Sequence, residues 1–411
     1  MRDRKELEEV SGSRSPVAGA LRVLMLAPTP YFADRGCHVR IYEEARALRE
    51  LGQEVLIVTY HLGRTMPGIA TVRIPPVPWY RKLSAGPSWH KPYLDILLFF
   101  TALRAARKFR PEIIHAHLHE GALIGLLLKK FLSVPLLFDC QGSLTAELSD
   151  HGFIRRGSLL FRLFAILERF INRRVDFIVT SSGPGAQQLV EERQESSSKV
   201  LPLIDGVNAG DFRPLPREEA RRALNLPQDR IIAVFLGVLN RYQGVDLLLE
   251  SIRMLREKGS QVHFLIMGFP EDGYRRLAVE TGIGDSVTFT GRIDYARAPL
   301  YLSAGDIALS PKISHTEANG KLFNYMACGL PTVVFDTAVN REILGDLGVY
   351  AAYGDAADFA AKIEALASDS ALRQSIAAKM IGMAVSEHSW QARGRKLLEL
   401  YRRLLSGQAG K

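Results

Sequence analysis

Cysteine is scarce. Cys37, Cys140 and Cys328 are three in a chain of 411 residues. An odd, scattered set makes neither a disulfide framework nor a zinc ribbon, and a reducing compartment, the cytoplasm, is expected. A long apolar run is also missing. A membrane span needs roughly 20 consecutive apolar residues. The longest candidate, Leu94 to Leu103, contains Asp95 and soon meets Arg104. Met1 to Ala20 is charged and serine-bearing, without the apolar centre of a signal peptide. Residues 1–19 are therefore expected to be a disordered leader. There is no Asp-x-Asp pair and no His/Cys/Asp group at metal-ligand spacing, so no metal site is expected. There is no zinc finger or RNP aromatic motif, so nucleic acid is not an expected partner.

What remains is a large apolar content and an excess of positive charge. Hydrophobic residues make up 47% of the chain, enough for two or three cores at this length. The net charge of +9 suits phosphates or an anionic membrane face. Short apolar runs alternate with helical patterns. Leu21 to Ala27 reads as a buried strand. A loop, PTPYFADRGCHVR, follows, then a helix over Ile41 to Glu50 and a strand over Glu54 to Thr59. That is a βαβ unit, with its first loop at the carboxyl end of the strand, where open α/β sheets bind ligands. Ile113 to Leu118 and Leu136 to Asp139 continue the series. The first ends in histidines, and the second is followed by the rest of the loop DCQGS.

Two segments suggest surfaces. Pro75 to Pro92 is proline-rich and carries Trp79, Tyr80 and Trp89. It reads as an acceptor or membrane contact, or as a loop packed on its own domain. Phe153 to Arg174 has apolar residues at helical spacing and six arginines against one acid, Glu168. Its apolar face is expected in the core, ahead of the strand Asp176 to Thr180. Contact with an anionic membrane is a further reading of the same helix.

The chain is organised around Ile307 to Asp336. Ile307 to Ser310 reads as a strand, Pro311 to Gly320 as a loop and Lys321 to Cys328 as a short helix. Gly329 and Pro331 stop that helix, and Thr332 to Phe335 reads as a second strand. Amide groups at a helix start, with Lys321 beside them, suit an anion such as a diphosphate. An ordinary βαβ unit with a solvated lysine fits equally well.

The segment KLFNYMACGLPTVV closely resembles KLFEYMACGxPVV, a signature of family-4 retaining glycosyltransferases with the GT-B fold. The resemblance extends from about Arg22 to about Leu405. KVLPLIDGVNAGDFRP resembles the family's interdomain segment, with Ile204–Asp205 where asparagine is usual before glycine. The implied architecture is α/β, with two Rossmann-like doubly wound domains facing across a cleft. Residues 20–205 are the acceptor-side domain. Residues 206–388 hold the nucleotide sugar, and a last helix over 389–405 packs back on the first domain through Leu397, Leu398, Leu400, Tyr401 and Leu404.

The implied activity is transfer of a sugar, with retention, from a UDP- or GDP-sugar to an acceptor hydroxyl. The acceptor is a sugar, a lipid-linked molecule or a small molecule, in polysaccharide or glycolipid synthesis. His117 and Glu317 are the implied catalytic groups. The implied donor contacts are Gly36, Arg241, Gln243, Gly268, Arg292, Gly320, Lys321, Leu322 and Asn324. Departures from the family pattern lie among them. Val238 and Gln243 stand where arginine and lysine are usual. Asn324 stands where a glutamate holds the ribose, and Thr316 precedes Glu317 where the other glutamate would fall. With no metal site or organic cofactor expected, Arg241 and Lys321 are left to meet the diphosphate, a task for fixed charge. A non-catalytic donor-binding subunit and a GT-B sugar-nucleotide 2-epimerase are the alternatives.

Overall fold

The computed structural model describes residues 19–83, 88–150, 153–191 and 195–407. The expected leader and part of the proline-rich loop lie outside the described residues. Seven parallel strands form the first sheet: β1 (Arg22–Ala27), β2 (Glu54–Thr59), β3 (Ala70–Arg73), β4 (Ile113–His117), β5 (Leu136–Cys140), β6 (Phe177–Thr180) and β7 (Val200–Pro202). Their order is β3-β2-β1-β4-β5-β6-β7. Six parallel strands form the second: β8 (Ile232–Leu236), β9 (His263–Met267), β10 (Val287–Phe289), β11 (Ile307–Ser310), β12 (Thr332–Phe335) and β13 (Val349–Ala351). Their order is β10-β9-β8-β11-β12-β13. Strands such as Val23-Leu24-Met25-Leu26 are apolar throughout because helices cover both faces of a parallel sheet. The order reverses beside β1 in one sheet and beside β8 in the other, and a crevice opens at each switch point.

Six helices bear on the site and are labelled α1 (Gly36–Glu50), α2 (Lys91–Phe109), α3 (Leu118–Leu132), α4 (Leu159–Arg174), α5 (Lys321–Ala327) and α6 (Trp390–Leu405). Helix α1 begins five residues before the expected Ile41. Nothing after Gly36 breaks a helix, and His38, Arg40 and Ile41 are buried on its inner side. Helix α6 crosses back onto α1, with Leu397, Leu398, Leu400 and Tyr401 in the shared core. Leu404 packs against that core.

Helix α4 corrects an expectation. It starts at Leu159, after a capping Ser158, and its apolar face is not in the core. Its buried residues are Glu168, Ile171 and Asn172. On the inner side Glu168 accepts bonds from the amide and hydroxyl of Thr145 (3.2 and 2.9 Å) and Ile171 and Leu167 pack on the core, while Leu159, Leu163, Ile166 and Phe170 stay exposed.

Candidate active site

The carboxyl ends of β8 and β11 place Lys321 in the cleft. Its Nζ donates to Gln243 Oε1 at 2.8 Å and lies 4.3 Å from the centre of the Phe235 ring. Gly237 makes the space. It has φ +157°, and a Cβ there would stand 2.8 Å from Lys321 Nζ. Among the described residues no carboxylate pairs with Lys321. Burial first, and then the charge of Lys312, push its ammonium well below the usual lysine range. Lys312 is anchored by Ala318 O (2.7 Å) and by Glu317 (3.4 Å). Glu317 thus answers Lys312 alone, and Lys321 is left with the neutral Gln243.

Asn324 lies one turn along α5. Its side chain is nearly buried and has no hydrogen-bond partner among the described residues. Gly320 caps α5 beside the Asp205 carboxylate. Leu322 is a correction: its side chain is fully buried in the core and its amide donates to Asn319 O, so neither faces a ligand. Gly268 is another. Its amide donates to Gly291 O, and a Cβ would run into Gly237 O at 1.8 Å. That glycine serves the crossing of two loops. Arg241 is exposed, and Gln243 rather than Arg241 meets Lys321.

Glu317 reaches across the cleft. A Cβ on Gly142, in the loop after β5, would stand 2.7 Å from Glu317 Oε1. The same loop of the second domain is tied to the first by Ser182 Oγ, which donates to Thr316 O. Arg35, Lys91 and Glu120 of the first domain carry charge around Glu147 and act on it electrostatically. Burial raises Glu147, Lys91 lowers it, and Glu120 and Glu317 raise it further.

His117, an implied catalytic group, closes β4 and is wholly buried, so its side chain has no open face for a ligand. Its Nδ1 lies 2.9 Å from Asp139 Oδ2, and its ring stacks on His115 at 4.4 Å. Arg40 organises this cluster. It bonds both oxygens of Asp139 at 3.0 Å, Leu203 O at 2.9 Å and Asp205 at 2.6 Å, and pairs with Glu44 at 3.2 Å. Burial alone would raise the Asp139 carboxyl, but Arg40 and the His117 bond hold it well below the usual range. Burial depresses His115, which bonds Tyr401 Oη of α6 at 2.7 Å. Glu44, His115, His117 and Asp139 also lie close enough to ligate one metal ion. Sequence spacing gave no sign of such a group. Arg40 already supplies the cation to both carboxylates.

The loop after β1 carries Asp34, another residue the sequence did not single out. Its carboxylate accepts from Arg64, from Arg292 Nε and Nη2 (3.1 and 2.9 Å) and from the Tyr295 amide (3.0 Å). Arg292 therefore makes a bridge between the two domains in this state rather than standing free for a donor. Gly36 is the first residue of α1. Its surroundings leave room for a Cβ, and no acidic residue sits in that first turn.

Comparison with known proteins agrees with this arrangement. The glycosyl transferase 4-like domain matches residues 35–203, and the glycosyl transferases group 1 family matches residues 216–381. A D-inositol 3-phosphate glycosyltransferase of Thermobispora bispora is 27% identical over 389 residues, covering 89% of each chain. The sucrose-phosphate synthase structure from Thermosynechococcus elongatus superposes with a TM-score of 0.79 at 19% identity, over 94% of this chain and all of that one. Anabaena HepE in complex with UDP and glucose gives 0.75 at 15% identity, over 93% of this chain and 99% of that one. With two sheets facing across a cleft and a family match in each half, the chain belongs to the group 1, family-4 glycosyltransferases and has the GT-B fold.

Proposed function

We propose that this protein transfers a hexosyl unit, with retention, from a UDP- or GDP-sugar to a hydroxyl of a polar acceptor. The observation that carries the reading is Lys321: a cleft ammonium beside Lys312, with no carboxylate of its own among the described residues. A diphosphate in contact with it restores the missing counter-charge. Asn324, three residues on, presents an amide that can both donate to and accept from a ribose diol. Glu317 stands between the two domains, where the sugar joins donor to acceptor.

In the reaction the bond from the anomeric carbon to the diphosphate breaks, and a bond to the acceptor oxygen forms on the same face. The acceptor proton passes to the departing phosphate. Lys312 and Lys321 stabilise the charge that develops there, a task that fixed cations perform without a metal ion. The charged lining of Arg35, Lys91, Glu120 and Glu147 suits a polyhydroxylated acceptor, and the T. bispora relative is named for a phosphorylated inositol. The setting proposed is cytoplasmic synthesis of a glycoconjugate or polysaccharide.

A panel of nucleotide sugars tests the reading. Thermal shift finds the donor that binds, and mass spectrometry then looks for free nucleotide and for mass added to the acceptor. One donor should stabilise the chain and release its nucleotide. Stabilisation with no turnover on any donor and acceptor would instead make this a donor-binding subunit. Conversion of the donor to its 2-epimer would make it an epimerase.

A further inference from the structure

The outward face of α4 has the composition of a buried surface. Leu159, Leu163, Ile166 and Phe170 are 75%, 53%, 65% and 46% exposed. At about 100° per residue they fall within a stripe about 60° wide along the helix. Arg162, Arg169 and Arg173 run beside that stripe on one flank, all exposed. Arg174 lies on the other flank, its guanidinium 5.1 Å from the Phe170 ring centre. Glu168, the helix's single acid, points inward and is buried.

Neighbouring elements prolong the apolar surface. Helices α2, α3 and α4 lie on one side of the first sheet, with α3 in contact with both α2 and α4. Phe100 of α2 and Phe131 of α3 are 62% and 64% exposed. Trp89, just before α2, is 75% exposed and packs its ring on Phe153 at 4.6 Å, ahead of α4. Soluble surfaces rarely gather such residues without a partner.

We infer that this face docks flat on an anionic lipid bilayer. The chemistry asks for an apolar layer about as deep as one side chain, edged by negative charge. The acyl boundary of a bilayer supplies the first and acidic headgroups supply the second. Among the described residues no helix is long and apolar enough to cross a membrane, so the helix lies on the surface rather than spanning it. A second copy of the chain is a poorer partner. Pairing this face with itself sets arginine rows against arginine rows, with no exposed acid on α4 to answer them.

The full chain, without donor or acceptor, is sedimented with phosphatidylcholine vesicles and with vesicles that also contain phosphatidylglycerol. Two variants accompany it: Arg162→Gln/Arg169→Gln/Arg173→Gln and Leu163→Ser/Ile166→Ser. All five side chains are exposed, so both variants should fold, which circular dichroism melting checks. The wild type should pellet with the acidic vesicles, much less with the neutral ones, and less as salt is raised. The arginine variant should partition roughly a hundredfold more weakly at low salt. The serine variant should lose binding at every salt concentration. Folded variants that bind as the wild type does, or a wild type that binds neither vesicle, overturn the proposal. So does a lipid-free wild-type dimer that the serine variant dissociates, which would make the face a self-interface. Each readout is independent of nucleotide binding and turnover.

Discussion

Lys321 Nζ and Gln243 Oε1 lie 2.8 Å apart, a half-buried amine held by a neutral acceptor. Gln243 stands where the family pattern has a lysine. The exchange leaves one ammonium at that point instead of two, and the glutamine orients it. On the proposed function, a ligand phosphate would meet an amine already positioned by Gln243.

Lys321→Ala should weaken binding of the nucleoside diphosphate by roughly ten- to a hundredfold, since a hydrogen bond to a charged group contributes about 1.5–3 kcal/mol. Asn324→Ala should lose less, because a neutral amide is removed. Binding should also draw a proton onto the site. Free Lys321 is pushed below its ordinary range, and a bound phosphate favours the charged form, so affinity falls as pH rises through the free-state value. Calorimetry in two buffers of different ionisation enthalpy measures both effects. Wild-type affinity in Lys321→Ala would show that the helix is structural and the donor lies elsewhere.

Glu317→Ala should act on turnover. The side chain bridges toward Gly142 and pairs with Lys312, so removing it leaves the cations in place for the nucleotide. kcat should fall roughly a hundredfold, as for loss of one preorganised polar group. The dissociation constant for the free nucleotide should hold or tighten slightly. A variant that keeps its kcat while nucleotide affinity drops would move Glu317 from the sugar to the phosphates.

The strands and the short helix α5 were legible in the sequence because parallel strands buried on both faces are uninterrupted apolar runs, and Gly329 and Pro331 mark a helix end. The direction of α4 was not. A period of 3.6 shows that an apolar face exists, whereas only its neighbours decide whether that face meets the core or the solvent. The charge cluster was hidden for another reason. Arg40 is 99 residues from Asp139 and 165 from Asp205, so the topology alone brings them together. Lys312 did carry a signal that went unread. A charged residue two places beyond a buried strand, at its carboxyl end, stands where α/β sheets bind ligands.

Glu43 should make stability fall with pH. Burial raises its carboxyl from 4.5 to about 7, against smaller opposing effects of Arg46 and the Tyr295 hydroxyl. The folded chain therefore holds a proton that the unfolded chain releases near pH 4.5. Stability is fullest below that value and declines until about pH 7, by up to about 3 kcal/mol from this group. Glu43→Gln keeps a neutral side chain in place. Its urea midpoint should gain on that of the wild type across this window and run parallel to it outside. Two curves parallel throughout would remove Glu43 from the pH response.

The domain bridge gives the last test. Asp34 in the first domain accepts from Arg292 and from the Tyr295 amide in the second, and Arg64 holds the same carboxylate. Arg64 also bonds Asp294 at 2.6 Å, so one buried acid and three neighbours fasten the loop after β1 to the far side of the cleft. Asp34 sits at φ +50°, a left-handed conformation that asparagine also tolerates. Asp34→Asn therefore removes the charge without straining the loop. Each lost charge-assisted bond contributes about 1.5–3 kcal/mol, enough to raise the open population roughly tenfold or more. Small-angle scattering of the ligand-free variant should give a larger radius of gyration than the wild type. On the proposed function the donor sits on the second domain with Glu317 reaching toward Gly142 of the first, so adding the true donor or its nucleoside diphosphate should return the variant toward the wild-type radius. Superimposable curves for the two free proteins would show that the bridge does not hold the domains. A variant that stays expanded with saturating nucleotide would show that ligand binding does not drive closure.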